Sequence, residues 1–96
     1  MQSESSITNQ IKNWVHKNMP EAVYYKISDR FTVGIPDIYI QYKGQAYWIE
    51  VKKNEKEKHT GRAIRQAYDL ARLGGQGAIV GMVCSLDEFK EVICRI

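Results

Sequence analysis

Three residues in the middle of the chain have the types and spacing of a metal-assisted site: Asp37 and Glu50, whose carboxylates can hold the ion, and Lys52 beside them. They lie in the stretch Gly34-Ile-Pro-Asp-Ile-Tyr-Ile-Gln-Tyr-Lys-Gly-Gln-Ala-Tyr-Trp-Ile-Glu-Val-Lys52, whose two halves alternate in hydrophobicity. Ile38, Ile40 and Tyr42 share one phase, and Tyr47, Ile49 and Val51 repeat it, as half-buried strands do. Asp37, Glu50 and Lys52 occupy the other phase, so Glu50 and Lys52 point the same way. A two-residue turn at Lys43-Gly44 pairs Tyr42 with Gln45, Ile40 with Tyr47, Ile38 with Ile49 and Asp37 with Glu50. A slip of one residue would set Asp37 against Val51 and break both faces. Two carboxylates then stand roughly 5 Å apart, and their repulsion is on the order of 3 kcal/mol before screening. A hard divalent cation such as Mg²⁺, held by one or two carboxylates and several waters, would offset it.

The elements around this hairpin follow from the rest of the sequence. Ile7, Ile11, Trp14 and Val15 form one stripe of an amphipathic helix over residues 5 to 18, capped by Ser3 or Ser5 and ended by Pro20. Residues 22 to 28 alternate through Val23, Tyr25 and Ile27 as a strand, and residues 29 to 34 connect it to the hairpin. Residues 54 to 61 are charged and aperiodic and read as an exposed loop. A helix over about 62 to 73 places Ala63, Ile64, Ala67, Leu70 and Ala71 on one side and Arg62, Arg65, Asp69 and Arg72 on the other, with Gly74-Gly75 as its stop. The apolar run from 77 to 84 reads as a strand buried on both faces. Ser85 and Glu88 form a capping box that opens a last helix with Phe89, Val92 and Ile93 inward. The expected order is helix, three strands, helix, strand, helix, in an α/β mixed sheet with helices on each side.

Length and composition bound the function classes. With 96 residues, 44% hydrophobic and 26% charged, the chain reads as a single domain over 1–96 with one modest core. Its net charge of +3 favours a polyanionic partner. No apolar run is long enough to span a membrane, and residues 1 to 10 lack the pattern of a signal peptide, so a cytoplasmic location is expected. Cys84 and Cys94 do not form a C-x-x-C pair and read as reduced side chains.

The Gly34-Ile35-Pro36-Asp37 turn, the Ile49-Glu50-Val51-Lys52 strand and Gln66 on the following helix resemble the PD-(D/E)xK nuclease superfamily, and more narrowly its virus-type replication-repair nuclease (VRR-NUC) domain, in a small stand-alone phage or bacterial form. The resemblance implies a restriction-endonuclease-like αβββαβ core with a short C-terminal helix. It implies that Asp37, Glu50 and the carbonyl of Val51 bind Mg²⁺ or Mn²⁺, that Lys52 orients or activates the attacking water, and that Glu4 and Gln66 support the site. It further implies a homodimer that resolves four-way DNA junctions, in the cytoplasm of a bacterium or a phage-infected host. Which surface would dimerise is open, with Tyr24, Tyr47, Trp48 and Tyr68 as candidates. The chemistry agrees independently: a metal on a phosphate oxygen stabilises developing charge and acidifies a bound water, and a lysine on the same face can position that water.

Blander readings stand beside these. Asp37, Glu50 and Lys52 could be a surface ion-pair network, although opposed like charges argue against it. Gln66 is also a good helix former at the edge of an apolar stripe, and Glu4 also suits the positive end of a helix. Lys53, Lys56, Lys58, Arg62 and Arg65 could contact phosphates, but Glu55 and Glu57 dilute the run and a solvated loop fits it nearly as well. His16 and His59 have no partner at ligand spacing. No helix-turn-helix, zinc-finger or RNP signature is present, which leaves structure rather than base sequence to be recognised. A catalytically silent nucleic-acid-binding module and a less selective flap- or end-processing nuclease are the alternatives to a junction resolvase.

Overall fold

The computed structural model describes residues 2–27 and 34–94. Helix α1 (Glu4–Asn18) begins where Ser3 Oγ accepts the Ser6 amide, and it buries Ile7, Ile11 and Val15. Strand β1 (Val23–Lys26), strand β2 (Ile38–Tyr42) and strand β3 (Gln45–Val51) form an antiparallel meander. Helix α2 (Gly61–Gly75) then crosses to strand β4 (Ile79–Val83), which pairs parallel to β3, and helix α3 (Leu86–Ile93) follows. The sheet order is β1-β2-β3-β4. The element order and the mixed sheet are those expected, with part of the proposed 29-to-34 connection outside the described residues.

The hairpin has the predicted register, with Ile38 opposite Ile49, Ile40 opposite Tyr47 and Tyr42 opposite Gln45. Lys43 and Gly44 both have positive φ, 49° and 78°, the pattern of a type I′ turn, whose twist matches that of the strands it joins. Continuing the register by one pair sets Asp37 against Glu50.

The two faces of the sheet differ. Ile38, Ile40, Tyr47, Ile49, Val51 and Val83 point to the face covered by α1 and α3, where Phe89 is fully buried and Trp14 packs edge-on against it, 5.8 Å between ring centres. Gly81 belongs to this face because a Cβ there would collide with Val92 of α3. Tyr39, Trp48 and Glu50 point to the other face, over which α2 packs against β3 and β4.

Three local expectations change, and β1 gains a defined inner face. In β1 the inward residue is Tyr24, while Val23 and Tyr25 are exposed, because among the described residues α2 packs on β3 and β4 of that face. Strand β4 is an edge strand and mostly half-buried, with Val83 alone buried among its residues. Residues Glu55–His59 form a 3₁₀ turn in place of an open loop, capped by the Asn54 side chain accepting from the Glu57 amide. Helix α2 buries Ala63 and Leu70 but exposes Ile64, Ala67 and Ala71, and it continues through Gly74-Gly75. Gln66 and Asp69, rather than Ile64, share its inner side.

Candidate active site

Asp37 precedes β2 at the point where the chain leaves Gly34-Ile35-Pro36. Gly34 has φ +94°, and a Cβ on it would collide with the Asp69 carboxylate of α2, so this approach to the site requires glycine. Asp37 Oδ2 accepts the Val51 amide at 2.9 Å, in effect extending the β2–β3 ladder by one rung made by a side chain. Because the N–H and C=O of one strand residue face the same neighbour, the Val51 carbonyl also projects towards Asp37. The Asp37 carbonyl in turn accepts from the Ile27 amide at 2.7 Å.

Glu50 and Lys52 are buried, at 4% and 9% exposure, the only charged residues so enclosed among those described. Lys52 Nζ lies 3.7 Å from Glu50 Oε2, and Gln66 Nε2 donates to the same oxygen at 3.2 Å. Burial, and then the neighbouring Asp37, push the Glu50 carboxyl up to about 8, with Lys52 pulling in the opposite direction. Near neutral pH Glu50 therefore keeps its proton unless a cation arrives. Gln66 Oε1 is buried without a hydrogen-bond partner, which leaves an unsatisfied acceptor beside the acids.

Glu4 reaches the same place from α1. Its charge acts on Glu50, and it lines a cavity of about 380 Å³ with Ser5, Thr8, Asn9, Lys26 and Asp37. Asp37, Glu50, Val51, Lys52, Gln66 and Glu4 are thus brought together from four parts of the chain. Two neighbours escaped the sequence reading. Lys26 Nζ is 3.8 Å from Asp37 Oδ1, and Tyr24, with a buried unpartnered hydroxyl, is pushed up to about 12 by burial and by the Asp37 charge. Both positions depend on the pairing of β1 with β2, for which no motif exists.

The donors suit a hard divalent cation. Two carboxylates and a backbone carbonyl are all oxygen, and burial together with the neighbouring Asp37 makes Glu50 favour a proton, which a cation can replace. The basic residues are more dispersed. Lys53 is 3.9 Å from Glu57 and exposed, and Lys56, Arg62 and Arg65 are exposed. Lys58 is largely covered, with Nζ 3.1 Å from Glu55 and 2.9 Å from Glu88. Glu55, Glu88 and Cys84 form a second acidic group whose ligand atoms lie within 4.8 Å of one another, and the Lys58 ammonium already serves it. Cys84 and Cys94 are free thiols. Among the described residues no helix is long and apolar enough to cross a membrane.

A solved structure described as a "VRR_NUC domain" superposes on this chain with a TM-score of 0.65, covering 88% of this chain and 91% of that one at 23% identity. The likeness establishes a shared fold: a four-stranded mixed sheet with helices on both faces, as in restriction-endonuclease-like domains. No protein-family model matches the chain, and no curated protein matches it in sequence.

Proposed function

We propose that this chain is a metal-dependent DNA endonuclease of the PD-(D/E)xK type. The observation that carries the reading is the buried pair of Glu50 and Lys52 beside Asp37, in a fold shared with a nuclease domain. Burying a lysine and a carboxyl group side by side in a 96-residue chain carries a desolvation cost that their attraction need not repay, so the pair is better accounted for by function than by stability. Mg²⁺, or Mn²⁺ in its place, is the proposed cofactor, with Asp37, Glu50 and the Val51 carbonyl as its protein ligands.

When bound, the metal supplies Lewis-acid stabilisation of the phosphate charge and acidifies a water. The chain's own residues do the rest. Glu50 would hold the ion as a carboxylate, its proton having passed to solvent. Lys52, fixed against Glu50, orients the attacking water and stabilises the charge that grows on the phosphoryl oxygens as the new P–O bond forms and the ester P–O bond breaks. Gln66 holds Glu50 in place, and Glu4 and Lys26 border the cavity through which a phosphate would reach Asp37. Lys53, Lys56, Arg62 and Arg65 would contribute sequence-independent phosphate contacts, whereas the ammonium of Lys58 is engaged by its two glutamates.

A four-way DNA junction cut by a homodimer is the proposed substrate and assembly, because a small domain gains a second site and a two-fold match to a branched duplex by pairing with its own copy. Tyr68 is the exposed member of the aromatic candidates for that contact. The test is cleavage of junction, flap, linear duplex and single strand side by side with Mg²⁺. Symmetric junction cutting that Asp37→Ala and Lys52→Ala abolish while still binding DNA is the expected result. Cleavage unchanged by either substitution would overturn the assignment.

A further inference from the structure

The α2 face of the sheet continues beyond the acids as a row of aromatic rings. Tyr25, Tyr39 and Trp48 occupy paired positions on β1, β2 and β3. Tyr25 and Tyr39 are near-parallel, 8° apart with ring centres separated by 6.4 Å, and Tyr39 is 4.8 Å from Trp48. Tyr25 is 58% exposed and Val23 beside it 45%, so the outer half of the row meets solvent. At its inner end a cavity of about 550 Å³ opens between Trp48, the Gly34-Ile35-Pro36 turn and Asp69, Arg72, Leu73 and Gln76 of α2. That turn runs directly into Asp37.

A core would not leave this arrangement bare, and three features fit one occupant. The aromatic surface is continuous with the acid site through Trp48 and Pro36. It is bordered by a cation, Arg72 in the cavity, in a chain of net charge +3. The cavity has the volume of a small-molecule pocket and combines one aromatic wall with an amide, a carboxylate and a guanidinium, the groups that meet the polar edges of bases. Proteins that bind unpaired strands use aromatic rings under successive bases and cations along the backbone.

We propose that Tyr25, Tyr39 and Trp48, with the cavity at their inner end, receive the bases of an unpaired DNA strand whose phosphate lies in the Asp37–Glu50 site. This rests on the nuclease reading and narrows it: the substrate must offer unpaired nucleotides beside the scissile bond, as a flap, a single-stranded end or an opened branch point does, and a fully paired duplex does not. Asp69 and Gln76 contact base edges, and Arg72 contacts a phosphate or stacks on a base.

The test needs no cleavage. In EDTA, the full chain is titrated with a short labelled oligothymidylate and, separately, with a blunt duplex of similar length at the same salt. Tyr25→Ala weakens oligothymidylate binding by about tenfold, the value of one base stacked on one ring, and changes duplex binding little; Tyr25→Phe retains binding. Ile64→Ala, which trims a comparably exposed apolar side chain outside the row, changes neither. In a Trp14→Phe background the remaining Trp48 fluorescence is quenched by the oligothymidylate. Unchanged oligothymidylate affinity in Tyr25→Ala, equal losses on both DNAs, or an unquenched Trp48 would each overturn the proposal. Ring-dependent binding of the unpaired strand without cleavage of any DNA by any metal would instead sink the nuclease reading and leave this one standing. Metal-dependent cutting of blunt duplex, with no ring-dependent binding, would do the reverse.

Discussion

Among the described residues two acidic clusters resolve their charge in opposite ways. At Glu55 and Glu88 the Lys58 ammonium sits 3.1 and 2.9 Å from the carboxylates, and Glu88 also accepts the Cys84 amide at 2.8 Å. Glu88 is held below the usual carboxylate range despite some burial, by Lys58 and by that amide. At Asp37 and Glu50 the nearest lysine to Glu50 is 3.7 Å away, and Glu50 is pushed up to about 8. Both clusters combine acids with lysine. Only the first is electrostatically complete, and its role is to fasten the 3₁₀ turn to the start of α3. The second favours a proton, or a cation in its place, which is the property a metal site needs.

The largest expected effect separates the two clusters outright. Glu50→Gln lowers metal-dependent DNA cleavage by at least about a hundredfold, since it removes a ligand and the charge that the metal meets. Glu88→Gln leaves cleavage near wild type and costs about 1–3 kcal/mol in chemical denaturation, for one lost charge-assisted pair and a weakened hydrogen bond at a helix start. A Glu88 variant with lost cleavage and full stability would reverse the two assignments.

The next effect is on pH. The folded-state pKa of Glu50 lies above its unfolded value, so the folded protein binds this proton more tightly. The corresponding stability is fully present below the unfolded carboxylate range and is lost as pH rises through about 8. The metal-free chain should therefore melt at a lower temperature at pH 8.5 than at pH 5.5, and Glu50→Gln should flatten that slope. Mg²⁺ should raise the melting temperature more at pH 8.5, where no proton has to leave. Thermal scans at the two pH values with and without Mg²⁺ check both. A wild-type slope no steeper than that of Glu50→Gln would contradict the assigned burial of this acid.

The smallest effect is at the rim. Glu4 raises Glu50 only through its charge, so Glu4→Gln should lower the apparent pKa seen in the pH–rate profile and change the rate at its optimum by no more than about threefold, given the exposure of Glu4 and its screening by salt. A loss as deep as that of Glu50→Gln would make Glu4 a ligand.

The sequence carried the hairpin to the residue because three independent constraints agreed there: alternation, a turn that tolerates positive φ, and charges confined to one phase. It carried Gln66 and Glu4 only as residue types compatible with the site. What placed them was the crossing of α2 and α1 over opposite sheet faces, a tertiary matter. The face of α2 was misread because Ile64, Ala67 and Ala71 form as good an apolar stripe as Ala63 and Leu70, and periodicity cannot say which stripe is covered. The covered phase of β1 was not legible for the same reason: alternation shows that a strand has two faces, and α2 packs on β3 and β4. The 3₁₀ turn at 55–59 is held by a cap and by ion pairs, which leave no hydrophobic period to read.

The hydrogen bond from the Val51 amide to Asp37 makes one acid a structural member of the sheet. Its Oδ2 must share its lone pairs between that amide and whatever the site binds, while Oδ1 remains directed towards Lys26. The Val51 amide proton is therefore a built-in reporter: its exchange with solvent and its chemical shift should respond when Asp37 is drawn towards a cation, even where cleavage is too slow to follow. Asp37→Asn, which retains an acceptor oxygen, and Asp37→Ala, which removes it, would look alike in an activity assay, and the amide would tell a lost ligand from a frayed strand.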